Sequence, residues 1–130
     1  IVKGILHEDD ARRAVEVGAD AVWVSNHGGR VLDSAPAALM CLPAIRQALG
    51  DQAVLMVDGG VRRGSDVIKA LSLGADFVFA GRPMMYGVAA GGQAGVERAL
   101  AIFQRELSLG VAQLGGWGSA TQTRAPDQGL

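Results

Sequence analysis

The chain alternates short apolar runs with stretches of helical periodicity. Four runs stand out: Ile1–Leu6, Ala21–Ser25, Ala53–Val57 and Phe77–Ala80. They are apolar throughout rather than alternating, the pattern of strands covered on both faces in a parallel sheet. Between the first two, Asp9 to Val17 reads as a helix. Ala11, Ala14 and Val15 form its inner stripe, acids occupy its first turn, His7 stands at its entry as a cap, and Gly18 stops it. The next helix is expected from Pro43, a residue suited to a first turn, to Leu49, closed by Gly50. A third has Ser65 as N-cap, Val67, Ile68, Leu71 and Leu73 facing inward, and Gly74 at its end. A longer helix, from about Ala94 to Leu109, carries Val96, Leu100, Phe103 and Leu107 on one side.

An internal echo supports this parsing. Val17-Gly18-Ala19-Asp20-Ala21-Val22 and Leu73-Gly74-Ala75-Asp76-Phe77-Val78 share a helix stop, Gly-Ala-Asp, and an apolar strand. Repeated βα units of this α/β kind build either an open doubly wound sheet or a (β/α)8 barrel, and four units are half of a barrel's eight. Four strands alone would expose sheet edges and an apolar inner face. The first residues, Ile1-Val2-Lys3-Gly4-Ile5, read as a strand already under way, so the chain is expected to be part of a longer barrel. Residues 1–114 form the expected half-barrel domain, and 115–130, rich in Gly, Ser, Thr and Gln, a loose tail.

Composition narrows the class. Of 130 residues, 49% are hydrophobic and 19% charged, with a single cysteine, Cys41. That excludes a disordered chain, an internally disulfide-stapled module and a cysteine-based zinc ribbon. Twelve basic against 13 acidic residues leave a net charge of −1, with no global positive field for nucleic acid or an anionic membrane. No apolar run reaches the roughly 18 residues of a membrane helix, and no export leader opens the chain; a cytoplasmic protein is expected. The 19 glycines point to tight turns and backbone-lined sites.

In parallel βα folds ligands sit beyond the carboxyl ends of the strands, and the unusual residues collect there. Ser25-Asn26-His27-Gly28-Gly29-Arg30 follows the second run, Asp58-Gly59-Gly60-Val61-Arg62-Arg63-Gly64 the third, and Gly81-Arg82-Pro83 the fourth. None is a Walker loop or a strand-linked G-x-G-x-x-G. Glycine backbone beside arginine suits an anion such as phosphate, although glycines also serve turns and arginines also sit in solvent. His27 beside Arg30 combines a proton acceptor with a planar fork for a carboxylate. Lys3 inside a strand calls for an anionic or carbonyl partner, unless it lies at an edge. Asp58 is either an acceptor for ligand hydroxyls or a turn aspartate. Cys41 has no histidine near it in sequence, so it is not read as a nucleophile, and no H-E-x-x-H or comparable spacing suggests a protein-held metal.

These motifs, in this order and with Lys3-Gly4 upstream, resemble the FMN-dependent α-hydroxy acid dehydrogenase/oxidase family, over residues 1 to about 115. The resemblance falls on the family's C-terminal half, strands five to eight of a TIM barrel. It implies FMN as cofactor, a small L-2-hydroxy acid as substrate and its 2-oxo acid as product. It further implies that Lys3 meets the flavin N1/O2 edge and Ser25 hydrogen-bonds the flavin. His27 would be the base and Arg30 the carboxylate clamp. Asp58 would take ribityl hydroxyls, and Gly59, Gly60, Val61, Arg62, Gly81 and Arg82 would line the ribityl and phosphate site. The family's N-terminal half brings a substrate-contacting tyrosine and the carboxylate that orients the histidine. The one tyrosine here, Tyr86, follows the fourth run, so the 130 residues alone are expected to be inactive. A homo-oligomer, tetrameric in many relatives, is also implied. Two alternatives stand beside this one: a non-catalytic half-barrel that captures FMN or phosphate, and another FMN barrel such as a type 2 isopentenyl diphosphate isomerase.

Overall fold

The computed structural model describes residues 1–115. The expected tail, 115–130, lies outside them except for Gly115. Four strands, β1 (Val2–Ile5), β2 (Ala21–Val24), β3 (Val54–Val57) and β4 (Phe77–Val78), form one sheet in the order β1-β2-β3-β4. All three pairings are parallel. All four apolar runs are therefore strands, trimmed at their ends. Chain order without a reversal is the arrangement of a barrel segment, because a doubly wound sheet has a point where strand order switches direction.

The helices are α1 (Glu8–Glu16), α2 (Ala38–Leu49), α3 (Gly64–Ser72) and α4 (Arg82–Gln113). Helix α1 packs on β1 and β2, α2 on β2 and β3, and α3 on β4 and α4. Right-handed crossovers between neighbouring parallel strands put α1, α2 and α3 on the same side. Val22, Val24, Leu55 and Val57 of the sheet are buried against Ala11 and Ala14 of α1, Leu42, Ile45 and Leu49 of α2, and Ala70 of α3. Each such leucine, isoleucine or valine contributes about 1.5–3 kcal/mol by leaving water. The opposite face is bare: Val54, Phe77 and Phe79 are exposed, and Trp23 stacks on Phe79 with ring centroids 4.1 Å apart.

Three helix starts differ from the sequence expectation. Helix α2 begins at Ala38, five residues before Pro43, which lies inside it. Pro43 gives up one helical hydrogen bond, but Ala38 and Leu42 are buried on the stripe that Ile45 and Leu49 continue, and that burial carries the helix through. Helix α3 is capped at Arg63 rather than Ser65, because the Asp66 carboxylate accepts from the backbone N–H of Arg62 (3.0 Å) and Arg63 (3.1 Å). Leu73, expected inward, is its exposed C-cap. Helix α4 begins twelve residues before Ala94 and is broken at Gly91 and Gly92. The two arms meet at Gly87 and Gly95, where a side chain on Gly95 would collide with the Gly87 carbonyl. His7 does cap α1, its Nδ1 accepting from the Asp9 N–H at 3.2 Å.

One side chain fastens the far end of the layer. The Arg46 guanidinium of α2 donates Nε to the Gly74 carbonyl (2.7 Å), Nη1 to that of Gly50 (2.6 Å) and Nη2 to Asp76 Oδ2 (2.6 Å). Asp76 Oδ2 also accepts the Leu55 N–H of β3 at 2.7 Å. Both side chains of the ion pair are over four-fifths buried, at 16% and 18% exposure. Arg46→Ala is expected to cost about 2–3 kcal/mol, somewhat less than breaking a fully buried pair. Arg46→Lys should recover less than half of this, since an ammonium cannot span three fixed acceptors. Urea unfolding midpoints of the two variants measure both; equal stability of parent and Ala variant would refute the assignment.

Candidate active site

Of the sequence-predicted residues, Lys3, Ser25, His27 and Asp58 come together beside the carboxyl ends of β2 and β3. Ser25, at the end of β2, is fully buried. Its Oγ accepts from Lys3 Nζ at 2.9 Å and from the His27 backbone N–H at 3.1 Å. Both hydroxyl lone pairs are thereby used, so the Ser25 O–H proton is the donor it has left. Lys3 Nζ also lies 3.1 Å from Asp58 Oδ2 and 5.0 Å from the Trp23 ring centroid. The cation is thus fixed between a carboxylate, a hydroxyl and an aromatic face, on a side chain 37% exposed. Asp58 Oδ1 is buried without a hydrogen-bond partner among the described residues. An unmet buried acceptor costs about 1–3 kcal/mol, and the described residues supply no donor for this one.

A bulge in β1 creates this geometry. Lys3 pairs with Trp23 and Ile5 with Val24, so Gly4 is an extra residue, with φ +96°. Beyond β2 the backbone turns sharply. His27 holds φ +56°, a left-handed conformation that costs a non-glycine residue about 1–2 kcal/mol. Asn26 supports the turn: its Oδ1 accepts from the Gly28 N–H (3.0 Å) and its carbonyl from the Gly29 N–H (3.0 Å). The His27 side chain is exposed to solvent on one side and lies against Gly4 on the other. Arg30 ends the same turn, exposed and without a hydrogen bond or ion pair among the described residues.

Beside this cluster lies an open hollow of about 200 Å³ lined by Asn26, Gly28, Gly29, Gly59, Gly60 and Arg82, with Ala37 and Ala38 at its wall. Gly59 and Gly60 have φ of +94° and +79°, and a side chain on Gly59 would crowd Asn26 Oδ1 at 3.2 Å. With glycine at both positions, the backbone itself forms this part of the lining. Gly81 is the N-cap of α4 and Arg82 its first residue. Val61 is buried, so only its backbone can serve a ligand.

The start of α3, in contrast, is already filled. Its Gly64 N–H donates to Glu106 Oε2 at 2.9 Å, and the N–H groups of Arg62 and Arg63 are taken by Asp66. Glu106 also holds the Arg63 guanidinium at 3.2 Å. The glycines after β3 and Arg82 at the start of α4 are the ones that line the hollow, while Arg62 is exposed nearby in the chain. Asn26, Gly28 and Gly29 line the hollow without having been assigned a role from sequence; an Asn two residues before a glycine pair at a strand end signals the side-chain turn that Asn26 makes. Burial, with Glu8 adding to it, raises the Cys41 thiol above its ordinary range, so it stays protonated at neutral pH. Among the described residues no group of three His, Cys, Asp or Glu side chains could hold a metal, and no helix is long and apolar enough to cross a membrane.

Relatives share most of this chain. It is 53% identical over 115 residues to an L-lactate oxidase of Nostoc sp., covering 88% of this chain and 32% of that protein. A pre-mycofactocin synthase of Mycobacterium tuberculosis is 50% identical over 115 residues, 88% of this chain and 29% of its own. The crystal structure of a mandelate oxidase with benzoyl-formic acid superposes with a TM-score of 0.85 at 46% identity, covering 88% of this chain and 34% of that one. The chain thus spans about a third of the length of the relatives it matches, and its sheet is the corresponding part of their barrel. Residues 1–124 match the family of FMN-dependent dehydrogenases, and the chain belongs to that family.

Proposed function

We propose that this chain carries the flavin edge, the base and the carboxylate clamp of an enzyme that oxidises an L-2-hydroxy acid to its 2-oxo acid. The observation that carries the reading is the convergence of Lys3, Ser25 and Asp58 within hydrogen-bond reach, with the His27 ring beside them on Gly4. FMN fits these residues. The orphaned Asp58 Oδ1 suits a ribityl hydroxyl, and Gly59, Gly60 and Arg82 suit its phosphate. Lys3 and the Ser25 hydroxyl would face the ring system. When bound, FMN supplies the two-electron acceptor for the substrate.

The chain's own side chains supply the rest. A neutral imidazole nitrogen of His27 takes a proton from the substrate as the 2-oxo group forms, and the exposed ring can approach a ligand from the solvent side. The Arg30 guanidinium holds the substrate carboxylate in a bidentate grip and so sets which substrate carbon faces the flavin. Lys3 opposes negative charge that builds on the reduced cofactor, from a position fixed by Asp58 and Ser25. The bare face bearing Trp23, Phe77 and Phe79 needs a complement of strands to exclude water, so these four strands alone do not turn over.

In the complete FMN-loaded enzyme, His27→Ala should slow flavin reduction by an L-2-hydroxy acid about 10²–10⁴-fold in stopped flow, with FMN binding retained. Unchanged reduction would remove His27 from the chemistry. Asp58→Ala and Arg82→Ala should each weaken FMN binding about tenfold or more in fluorescence titrations, as expected for losing a charge-assisted contact; FMN affinity equal to the parent's would place the cofactor elsewhere. The 130-residue chain mixed with FMN and L-lactate is expected to leave the flavin absorbance intact. Anaerobic bleaching at an enzymatic rate would show that the half-site suffices.

A further inference from the structure

We infer that Gly4 is the positioning residue for His27: the bulge it makes in β1 leaves a seat without a side chain, and the imidazole occupies that seat. The inference rests on the reading of His27 as the base. An ideal methyl group on Gly4 would lie 2.9 Å from His27 Nε2, 3.4 Å from Cε1 and 4.0 Å from Cδ2. All three of its nearest neighbours belong to one ring. The space that the missing side chain leaves is therefore filled by the Nε2–Cε1 edge of the imidazole.

Two further constraints meet at the same place. The register skips one residue between Lys3 and Ile5, and Gly4 has φ +96°, so β1 turns its bare Cα toward the turn after β2. Bulges are common where a strand must re-aim a side chain beside a site. Here one bulge sends Lys3 to Ser25 and Asp58 and puts Gly4 beneath the histidine. From above, Ser25 Oγ holds the His27 N–H, and the backbone at φ +56° leaves the ring pointing back at β1. The imidazole is held by its main chain on one side and by the floor of the bulge on the other. The ring is exposed to solvent, so a methyl group beneath it expels it outward rather than into the core.

The test is a cycle of Gly4→Ala and His27→Ala in the complete FMN-loaded enzyme. Gly4→Ala should lower the limiting rate of flavin reduction about a hundredfold, the scale of an ångström-sized misplacement, while substrate half-saturation and FMN affinity move less than about threefold. Added to His27→Ala, it should cause no further loss of rate, and its drop in thermal midpoint should be smaller than in the parent, since the atoms it strikes are gone. A parent-like reduction rate in Gly4→Ala overturns the inference. If Gly4→Ala does not load FMN but the double variant does, the ring is the obstacle and the inference holds; if the double variant also fails, backbone conformation alone demands the glycine and the seat is refuted. Should His27→Ala itself reduce flavin at the parent rate, the base assignment fails, and the thermal midpoints still decide whether Gly4 seats the ring.

Discussion

The site depends on one buried hydroxyl. Ser25 Oγ has two lone pairs, and strand β1 and the turn after β2 each claim one, through the Lys3 ammonium and the His27 amide. A serine with no solvent exposure must satisfy its oxygen within the protein. That requirement ties a cation, a left-handed turn and a buried strand end to one atom. Move the oxygen and both the Lys3 ammonium and the His27 turn would shift together.

This coupling explains why strain and unmet polarity gather within a few residues. The positive φ of His27, the bulge at Gly4 and the orphaned Asp58 Oδ1 each cost stability. They are offset by the apolar layer beneath, where Leu42, Ile45, Leu49, Leu55 and Val57 are all but inaccessible. At the opposite end of the strands Arg46 joins α2 to β3 and the entry of β4. One end of the sheet is thus tied by Arg46 and Asp76, while the other keeps the Asp58 Oδ1 acceptor open among the described residues.

Much of the fold is legible in sequence because the strands of a parallel barrel, with helices on one face and the barrel interior on the other, are apolar throughout, and all four runs announce themselves that way. Helix starts are less legible because they depend on partners distant in sequence. Pro43 sits within α2 because burial of Ala38 and Leu42 outweighs its local preference. Ser65 is displaced as a cap by Asp66, one residue further on. The first arm of α4 is obscured by Gly87, Gly91 and Gly92, which read as breakers but serve a close helix crossing and a reversal. In the site, the residue types of Lys3, Ser25, His27 and Asp58 are visible in the motifs. Their mutual contacts are not, since these arise from a one-residue bulge that no local pattern encodes.

Glu106 reaches the Gly64 N–H and the Arg63 guanidinium from more than forty residues downstream. The contact sets an order on folding. A chain emerging from the ribosome can pair β1, β2 and β3 as soon as each is made, but the first turn of α3 keeps open donors until the second arm of α4 has been synthesised and has doubled back. The start of α3 is therefore completed by the docking of a helix made later in the chain rather than by the pairing of a strand.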